Sequence, residues 1–504
     1  MQFKTTNKEE TRKYFDIIEN YVQNKEIKWT KYADFGCKTV RIISYSEEFL
    51  PLVEKQLTYV LNDNADKYDA TLIIWQESDV LSFAKKLISS NSKHNMRIRM
   101  EMVYHKAKKT NLTDEKEFYN IQIIDDNFSK IKPTIDIRPK TGFFIANDYE
   151  NDTYYYGVND LNPEEFIKEG HIFVQFFNNI LKTPTSNLAH GAVIGLNGDG
   201  ICFCARGQRG KSTLSVLSMM KGFEYVSDDY LILHNNEKGE LLSSPIYSII
   251  TLSPVMYNRL YDYMKDSQFV SNNARKDKYV FNISNYHPQF KKNYPIKLCI
   301  FPEIVSDKDP SIKPCTKEEK GRAMVQLIQS TLMQTQDLSE NWTVKKMMNM
   351  IKDLPYYKLN LCWDIDRNTE FLREFMNNFK NKQHNIVDAN KIAIDITFDL
   401  ANILNTETGI IYSMNKFATN LYENMLNGIP KNIIKTELEK YLEYNENIQE
   451  EFDIFVAKLE EKDIFKQKDV SDKELIINQE FLEECNYKLS FIEHAQEEYI
   501  ELIK

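Results

Sequence analysis

The chain has 504 residues, 42% of them hydrophobic, and its 64 basic and 74 acidic side chains give a formal net charge of −10. This length predicts about three domains with hydrophobic cores, and the negative balance argues against a protein that binds nucleic acid over its whole surface. The first residues lack the apolar core of a signal peptide, and no apolar run is long enough to span a membrane. We therefore expect a cytoplasmic protein with neither a nucleic acid nor a membrane as partner.

The first part of the chain mixes helical and strand patterns and shows no chemical motif. The predicted elements are helices over 9–23, 48–61 and 162–181 and strands over 39–44, 70–75, 142–146 and 153–158. The last two strands flank a turn and predict a hairpin. We interpret residues 1–110 as an accessory α/β domain and assign residues 111–380 to a second domain.

Seven cysteines are scattered along the chain, an odd count that argues for a reducing compartment. Cys202 and Cys204 fall on one face of a predicted strand. No second pair of metal-binding residues stands at ligand spacing nearby. We therefore interpret these two cysteines as small buried side chains rather than zinc ligands.

The most informative stretch is Ala205–Thr213, which reads Ala-Arg-Gly-Gln-Arg-Gly-Lys-Ser-Thr between a predicted strand and a predicted helix. We call this stretch the phosphate loop. In such a loop, backbone N–H groups and the helix N-terminus surround phosphate oxygens. The strict pattern has glycine where this chain has Ala205, so an ordinary strand–turn–helix corner is the alternative interpretation.

The residue types of the phosphate loop suit nucleotide binding. Lys211 places a positive charge near the β- and γ-phosphates, and the Ser212 hydroxyl is suited to Mg²⁺. Arg206 and Arg209 would neutralise phosphate charge if they turn inward, and would be solvated if they turn out. The predicted nucleotide-binding residues are Gly207, Gln208, Arg209, Gly210, Lys211, Ser212 and Thr213.

Two adjacent acids, Asp228 and Asp229, follow the next predicted strand, and His190 precedes the phosphate loop. Acids at the carboxyl end of a strand, shortly after a phosphate loop, are placed to hold Mg²⁺ or to act as a base. A charged turn is the alternative interpretation of the pair. Taken alone, His190 would be interpreted as structural.

The histidine, the phosphate loop and the acidic pair stand in the order and spacing of HPr kinase/phosphorylase-like kinases, and residues 190–235 resemble that family most specifically. Gln208 and Ala205 replace glycines of that family's loop. The family's downstream signature is not visible at 245–254, so phosphorylase activity is not carried over. The resemblance implies an α/β kinase core with ATP and Mg²⁺ as cofactors.

The same resemblance implies roles for individual residues. Asp228 would be the base toward the acceptor hydroxyl. Asp229 and Ser212 would be the metal ligands. His190 would lie beside the phosphates, and Lys211 would act with it in catalysis.

The pattern changes after a polar stretch at 377–390, which we interpret as a linker. Strands are predicted over 392–398, 400–404 and 409–412, followed by helices over 416–426, 430–442 and 448–461. Three short strands and then three helices resemble a PqqD-like domain, the peptide-recognition element of ribosomal-peptide maturation. A generic winged-helix fold is the alternative. We call residues 391–465 the C-terminal module and residues 466–504, acidic and helical in pattern, the tail.

The PqqD-like resemblance implies that the C-terminal module binds the leader of a precursor peptide. An extended leader would add a strand to an exposed sheet edge at 409–412 and pack against the helix at 448–461. The predicted peptide-binding residues are Ile410, Ile411, Tyr412, Phe452 and Phe455.

The two resemblances together indicate an α/β (α+β) protein that uses ATP to phosphorylate a Ser, Thr or Tyr hydroxyl of a ribosomally made precursor peptide. Two alternatives stay open. One is a protein or small-molecule kinase, for example of free serine, with a regulatory winged-helix domain. The other is a nucleotide-gated binding protein without turnover. The sequence does not decide whether copies of the chain associate into a homo-oligomer.

Overall fold

The structure, a computed structural model, describes residues 8–76, 98–100, 119–122, 134–138, 143–148, 151–158, 171–207, 209–264, 268–273, 278–306, 309–335, 341–379, 386–465 and 475–493. Within these ranges the architecture is mixed α/β, with four sheets. The helices of the described ranges are α1 Lys8–Gln23, α2 Leu50–Leu57, α3 Val174–Leu181, α4 Lys211–Met220, α5 Pro254–Met264, α6 Lys317–Thr335, α7 Asn341–Ile351, α8 Ile365–Asn377, α9 Lys416–Leu426, α10 Lys431–Leu438, α11 Ile448–Glu461 and α12 Gln479–Glu484.

The first sheet is formed by β1 Trp29–Asp34, β2 Thr39–Ser44, β3 Leu61–Asn62, β4 Ala70–Gln76, β5 Ile98–Met100, β6 Tyr119–Gln122, β7 Thr134–Arg138, β8 Phe143–Asp148 and β9 Thr153–Val158. The strand order is β3-β1-β2-β4-β9-β8-β7-β6-β5. The predicted hairpin β8–β9 is present, with Asp148 opposite Thr153. β4 pairs in parallel with β9, so the division predicted after residue 110 falls inside one sheet. β4 and β9 lie far apart in the chain, so no local sequence pattern could predict their pairing.

Aromatic side chains join the first sheet to the segment that follows it. The Tyr156 ring lies 5.3 Å from Phe173 and 5.1 Å from Phe176, both edge-on. The predicted helix at 162–181 is described only from residue 171, and α3 occupies its end. The Tyr154 ring also meets Phe176 edge-on, at 6.4 Å, so both tyrosines are packing residues of a sheet–helix core.

The central sheet is formed by β10 Ser186–His190, β11 Ala192–Leu196, β12 Asp199–Phe203, β13 Glu224–Ser227, β14 Tyr230–Asn235, β15 Leu241–Pro245, β19 Tyr294–Ser306, β20 Ser311–Pro314 and β21 Tyr356–Cys362. Its main order is β10-β14-β15-β19-β12-β11-β13, and β21 joins β19 to β20. A small sheet beside it has the order β16-β18-β17, with β16 Ile249–Leu252, β17 Gln268–Asn273 and β18 Lys278–Asn282. We call residues 171–379 the central region.

Helices cover both faces of the central sheet, because alternate strand residues point to opposite sides. On β12, Ile201 and Phe203 share a buried cluster with side chains of α4 and α8. Cys202 and Cys204 share another with α6 and α7. The phosphate loop therefore leaves the carboxyl end of a strand buried on both faces.

The C-terminal sheet has the antiparallel order β22-β23-β24-β25, with β22 Ile392–Thr397, β23 Leu400–Asn405, β24 Ile410–Met414 and β25 Phe491–Glu493. The three predicted strands and three predicted helices of the C-terminal module are present, and Asn415 caps α9 by accepting the Ala418 N–H at 2.9 Å. The tail differs from its helical prediction. Its described part holds the six-residue α12 and then β25, which returns to the sheet.

The C-terminal module packs closely on the central region. Ala393, Leu404 and Ile411 belong to the same buried cluster as the inner side chains of α6 and α7. A β-carbon at Gly321 would lie 2.8 Å from the Ala393 side chain, so glycine is needed where α6 meets β22. Among the described residues, no helix is both long enough and apolar enough to cross a membrane.

Candidate functional site

The phosphate loop joins β12 to α4. β12 ends at Phe203 and α4 begins at Lys211, with Gly210 as its N-cap. Gly210 has a left-handed φ of 87°, and a β-carbon there would lie 2.8 Å from the Leu361 side chain. The left-handed φ favours glycine, and any larger residue would also displace the end of the Leu361 side chain. The loop thus has the strand, glycine and helix layout that its sequence predicts.

Lys211 is the buried cation of the phosphate loop. Only 5% of its surface is exposed, and its Nζ donates hydrogen bonds to the carbonyl oxygens of Ala205 at 2.5 Å and Arg206 at 3.0 Å. A buried ammonium group needs such acceptors because burial removes its water. The positive charge therefore lies against the loop backbone, at the start of α4.

Ser212 and Thr213 occupy the first turn of α4, and both line a cavity described below. Thr213 Oγ1 also contacts the Met256 sulfur at 3.0 Å. The first N–H groups of an α-helix lack partners within the helix, and the helix dipole makes this end positive. Hydroxyl and amide donors of this turn are therefore positioned for an anion.

Asp228 and Asp229 form the tight connection between β13 and β14. Asp229 has a left-handed backbone with a φ of 73°, its Oδ2 accepts a hydrogen bond from Thr251 Oγ1 at 2.8 Å, and it lines the cavity. Asp228 is 2% exposed and, in the described part of the chain, does not line the cavity. Asp229 is thus the member of the pair at the cavity surface, with Asp228 beneath it.

The fully buried Tyr225 lies next to the acidic pair. Burial raises the pKa of its phenol well above the ordinary value, and the charges of Asp228 and Asp229 raise that pKa further. The phenol is therefore neutral at physiological pH and adds no charge to the site.

Two histidine rings face the cavity, although the sequence suggested only His190. His190 ends β10, and its ring lies 5.6 Å from that of Tyr230. The ring of His171 lies 4.8 Å from the same tyrosine. No local pattern marks His171, because it reaches the site only through packing between distant segments.

One cavity of about 1020 Å³ connects these groups and extends to the C-terminal sheet. The lining residues from that sheet and its first turn are Phe398, Leu400, Asn402, Ile411, Ser413 and Met414. Phe398, between β22 and β23, keeps 64% of its surface exposed. The predicted nucleotide site and the predicted peptide module therefore share a cavity at the upper end of the usual size range for ligand sites.

The two arginines of the phosphate loop pair with acids. Arg206 lines the cavity, and its Nη2 lies 3.2 Å from a carboxylate oxygen of Asp395 in the C-terminal module. Arg209 Nη1 lies 3.4 Å from Glu303, outside the lining formed by the described residues. The predicted residue Gln208, between the two arginines, lies outside the described residues.

Glu303, the acid paired with Arg209, also interacts with Lys358. A hydrogen bond from Lys358 lowers the pKa of Glu303, and the charge of Arg209 adds to that effect. Glu303 is therefore ionised at neutral pH. Arg209 is held at the side of the loop by this acid rather than directed into the cavity.

The predicted peptide edge differs from expectation. β24 is not open along its length, because Tyr412, Ser413 and Met414 pair with the tail strand β25. Ile411 is buried toward α6 and α7. Ile410 is only partly buried and lies before the β25 ladder.

An aromatic side chain of the tail fills the groove between β24 and α11. The Phe491 ring stacks on Tyr412 at 5.4 Å and meets Phe455 edge-on at 6.1 Å. Phe452 is buried in the core of the C-terminal module. Of the predicted peptide-binding side chains, Tyr412 and Phe455 thus form a slot that the chain itself occupies. No strand was predicted in the tail, although its apolar residues Leu489, Phe491 and Ile492 are a signal that could have indicated one.

Three buried thiols meet behind the phosphate loop. Cys202, Cys204 and Cys299 place their sulfur atoms within 4.8 Å of one another. Cys202 and Cys204 are buried as predicted, but the sequence did not identify Cys299 as their neighbour. Burial raises the pKa of the Cys299 thiol, which favours its neutral, protonated form. The group packs against α6 and α7.

No protein-family model and no curated protein matches the chain. Among solved structures, the chain is similar to the HPr(Ser) kinase/phosphatase from Coxiella burnetii, with 12% sequence identity and a TM-score of 0.21. The match covers 39% of this chain and 96% of that one. A TM-score this low carries no functional assignment, so the interpretation below depends on the residues and geometry of the site.

Proposed function

We propose that the chain is an ATP-dependent kinase that phosphorylates a side-chain hydroxyl of a ribosomally made precursor peptide. The observation that carries this proposal is the shared cavity, lined both by the phosphate loop and by the C-terminal module. Phosphoryl transfer needs the phosphate site and the acceptor site within reach of each other. A cavity lined by both parts meets that need.

The residues around the loop fit ATP and Mg²⁺. The buried Lys211 ammonium and the N-terminus of α4 supply positive charge for a triphosphate. The Ser212 hydroxyl and the Asp229 carboxylate both lie on the cavity wall and are oxygen donors of the kind that Mg²⁺ prefers. When bound there, Mg²⁺ neutralises charge on the phosphate oxygens.

The remaining chemistry needs a base for the acceptor proton and positive charge for the leaving group. The acceptor oxygen bonds to the γ-phosphorus while the bond from that phosphorus to the bridging oxygen of ADP breaks, and the acceptor proton passes to a carboxylate. Lys211 and the dipole of α4 stabilise the charge left on ADP. Asp228 is the predicted base and Asp229 the predicted metal ligand, and these roles stay predictions.

The C-terminal module would hold the leader as an added strand on β24, in the place that β25 takes in this structure. Supporting this, the slot between Tyr412 and Phe455 already accepts an aromatic side chain from an extended segment. A leader with a large apolar residue would fill the same slot. Holding the leader there raises the concentration of the acceptor at the cavity.

The experiment that tests the function is transfer from γ-labelled ATP to any short peptide that a neighbouring gene encodes. We expect label in one peptide with the full chain, and none with Lys211→Ala. Lys221→Ala is the matched control, because Lys221 lies at the far end of α4 and pairs with Asp366. Labelled free serine would instead indicate a small-molecule kinase. Nucleotide binding without any transfer would indicate a nucleotide-gated binding protein.

A further inference from the structure

Asp395 lies where the C-terminal module meets the phosphate loop. It belongs to β22, and its side chain has 0% exposure. Its Oδ1 accepts hydrogen bonds from Arg322 Nε at 3.0 Å and Gln326 Nε2 at 2.8 Å. Its Oδ2 lies 3.2 Å from Arg206 Nη2. Three donors of the central region therefore converge on one carboxylate of the module.

Arg206, the phosphate-loop member of this group, is held through its side chain and through its backbone. Its guanidinium contacts Asp395 and also donates to Gln329. Its N–H donates to Gln326 Oε1 at 3.1 Å, and its carbonyl oxygen accepts the Lys211 ammonium at 3.0 Å. Because Gln326 also donates to Asp395, the same carboxylate supports both the side chain and the backbone of Arg206.

Charge makes this junction sensitive to the loss of one partner. A carboxylate without solvent exposure is costly unless it is paired, and removing one member of a buried pair leaves the other uncompensated. Burial lowers the pKa of the Arg206 guanidinium, although an arginine in a protein stays charged. Without the charge of Asp395, Arg206 would therefore rearrange, and its carbonyl contact to Lys211 would shift with it.

A second set of contacts leads from Arg206 toward the predicted leader edge. Gln329, which accepts from Arg206, donates to Asn402 on β23. Ser413 on β24 donates to the same Asn402 oxygen at 2.8 Å, and Ser413 is paired with Ile492 of β25. The strand that would receive the leader is thus joined to the phosphate loop by consecutive polar contacts.

We propose that Asp395 is a positioning residue for phosphoryl transfer, acting through Arg206 and Gln326 to fix the phosphate loop. This inference rests on the proposed function and adds that the C-terminal module is a working part of the nucleotide site, beyond its role in recruiting a peptide. The arrangement of Lys211 then depends on a residue almost two hundred positions later in the chain.

The test measures ATP affinity directly on the full chain, so it needs no acceptor peptide. We expect Asp395→Asn and Arg206→Gln each to weaken ATP binding by about tenfold, a free-energy change of about 1.4 kcal/mol. The double variant should bind ATP no more weakly than Arg206→Gln alone, because the two residues act as a unit. Asp453→Asn is the matched control: Asp453 is an exposed acid of the same module, paired with Lys435, and its loss should change nothing.

A comparison of Arg206→Gln with Arg322→Gln keeps the inference testable if the Asp395→Asn protein does not fold. Arg322 contacts the same carboxylate but lies on α6, outside the phosphate loop. ATP affinity should fall in Arg206→Gln and stay near wild type in Arg322→Gln.

Equal losses in these two arginine variants would overturn the inference. So would wild-type ATP affinity in a folded Asp395→Asn protein, or a full Asp395→Asn effect in the Arg206→Gln background. None of these outcomes bears on the proposed function, which the transfer assay with γ-labelled ATP tests separately. A wild-type chain that binds no ATP overturns both proposals.

Discussion

The phosphate loop and the predicted leader-binding edge, β24, were both inferred from short stretches of sequence, and in the structure the first lines an open cavity whereas the second is largely covered. At the loop, Gly210, Lys211, Ser212 and Thr213 all line one cavity. At the edge, Tyr412 is paired with β25, and Ile411 is buried against the helices of the central region.

The loop is specified by neighbouring residues, whereas an open strand edge depends on the rest of the chain. A strand, a left-handed glycine and a helix start form a local unit whose geometry is encoded within a few residues. Whether a strand is at an edge depends on every other segment that can pair with it. A local pattern can therefore predict a strand, but it cannot show that the strand is unoccupied.

Lys211→Ala tests the loop side of this comparison and has the largest expected effect. Removing the ammonium deletes the positive charge next to the predicted phosphates, so we expect the transfer rate at saturating ATP to fall by about 10³-fold. The carbonyl oxygens of Ala205 and Arg206 also lose a donor, at a cost of about 1–3 kcal/mol of folding stability. A folded variant with a rate near that of wild type and of Lys221→Ala would rule out the nucleotide assignment.

The two acids of the pair can be separated by paired variants. If Asp228 is the base, Asp228→Asn should lower turnover by about 10²-fold and leave ATP affinity unchanged. If Asp229 holds the metal, Asp229→Asn should raise the Mg²⁺ concentration needed for half-maximal ATP binding. Turnover and ATP titrations over a range of Mg²⁺ concentrations measure both effects.

Because Asp229 lies on the cavity wall, the same variants can also show whether it, rather than Asp228, is the base. Normal turnover in Asp228→Asn, with turnover lost in Asp229→Asn and no change in its Mg²⁺ requirement, would assign the base to Asp229 and leave Asp228 with no role in transfer. That result would match the position of Asp229 on the cavity wall.

The elements predicted from local periodicity are largely present. β2 begins and ends at the predicted residues, and the helix and strand order of the C-terminal module is as expected. These elements have clear alternation or a clear helical period, and caps such as Asn415 mark their ends. Local pattern was sufficient for them because each is defined within its own residues.

What the sequence did not predict joins segments that lie far apart in the chain. The parallel pairing of β4 with β9 crosses the predicted domain division. Cys299 meets Cys202 only because β12 and β19 are neighbours. The contact between Arg206 and Asp395 joins two predicted domains. None of these contacts is marked by a periodic pattern or a motif in the sequence, so they could not be predicted before the fold was known.

Phe491→Ala tests the edge side of the comparison and has the smallest expected effect. Removing the ring empties the slot between Tyr412 and Phe455 and weakens the hold of β25 on β24. If the leader takes the place of β25, it then competes with a weaker occupant. We expect its affinity to rise by about three- to tenfold, or 0.7–1.4 kcal/mol. Titration of the full chain with a labelled leader, taken from the peptide that the ATP assay identifies, measures the change.

Ile492→Ala is the matched control for this variant, because Ile492 lies in the same strand but keeps 52% of its surface exposed. Its loss removes little packing, so β25 should stay in place and leader affinity should not change. Thermal unfolding of both variants must remain cooperative, since Phe491 also packs against the core of the C-terminal module. A folded Phe491→Ala protein that binds the leader more weakly would mean that β25 is a lasting part of the module. The leader would then have to bind elsewhere, and β24 would be an interior strand rather than a peptide-binding edge.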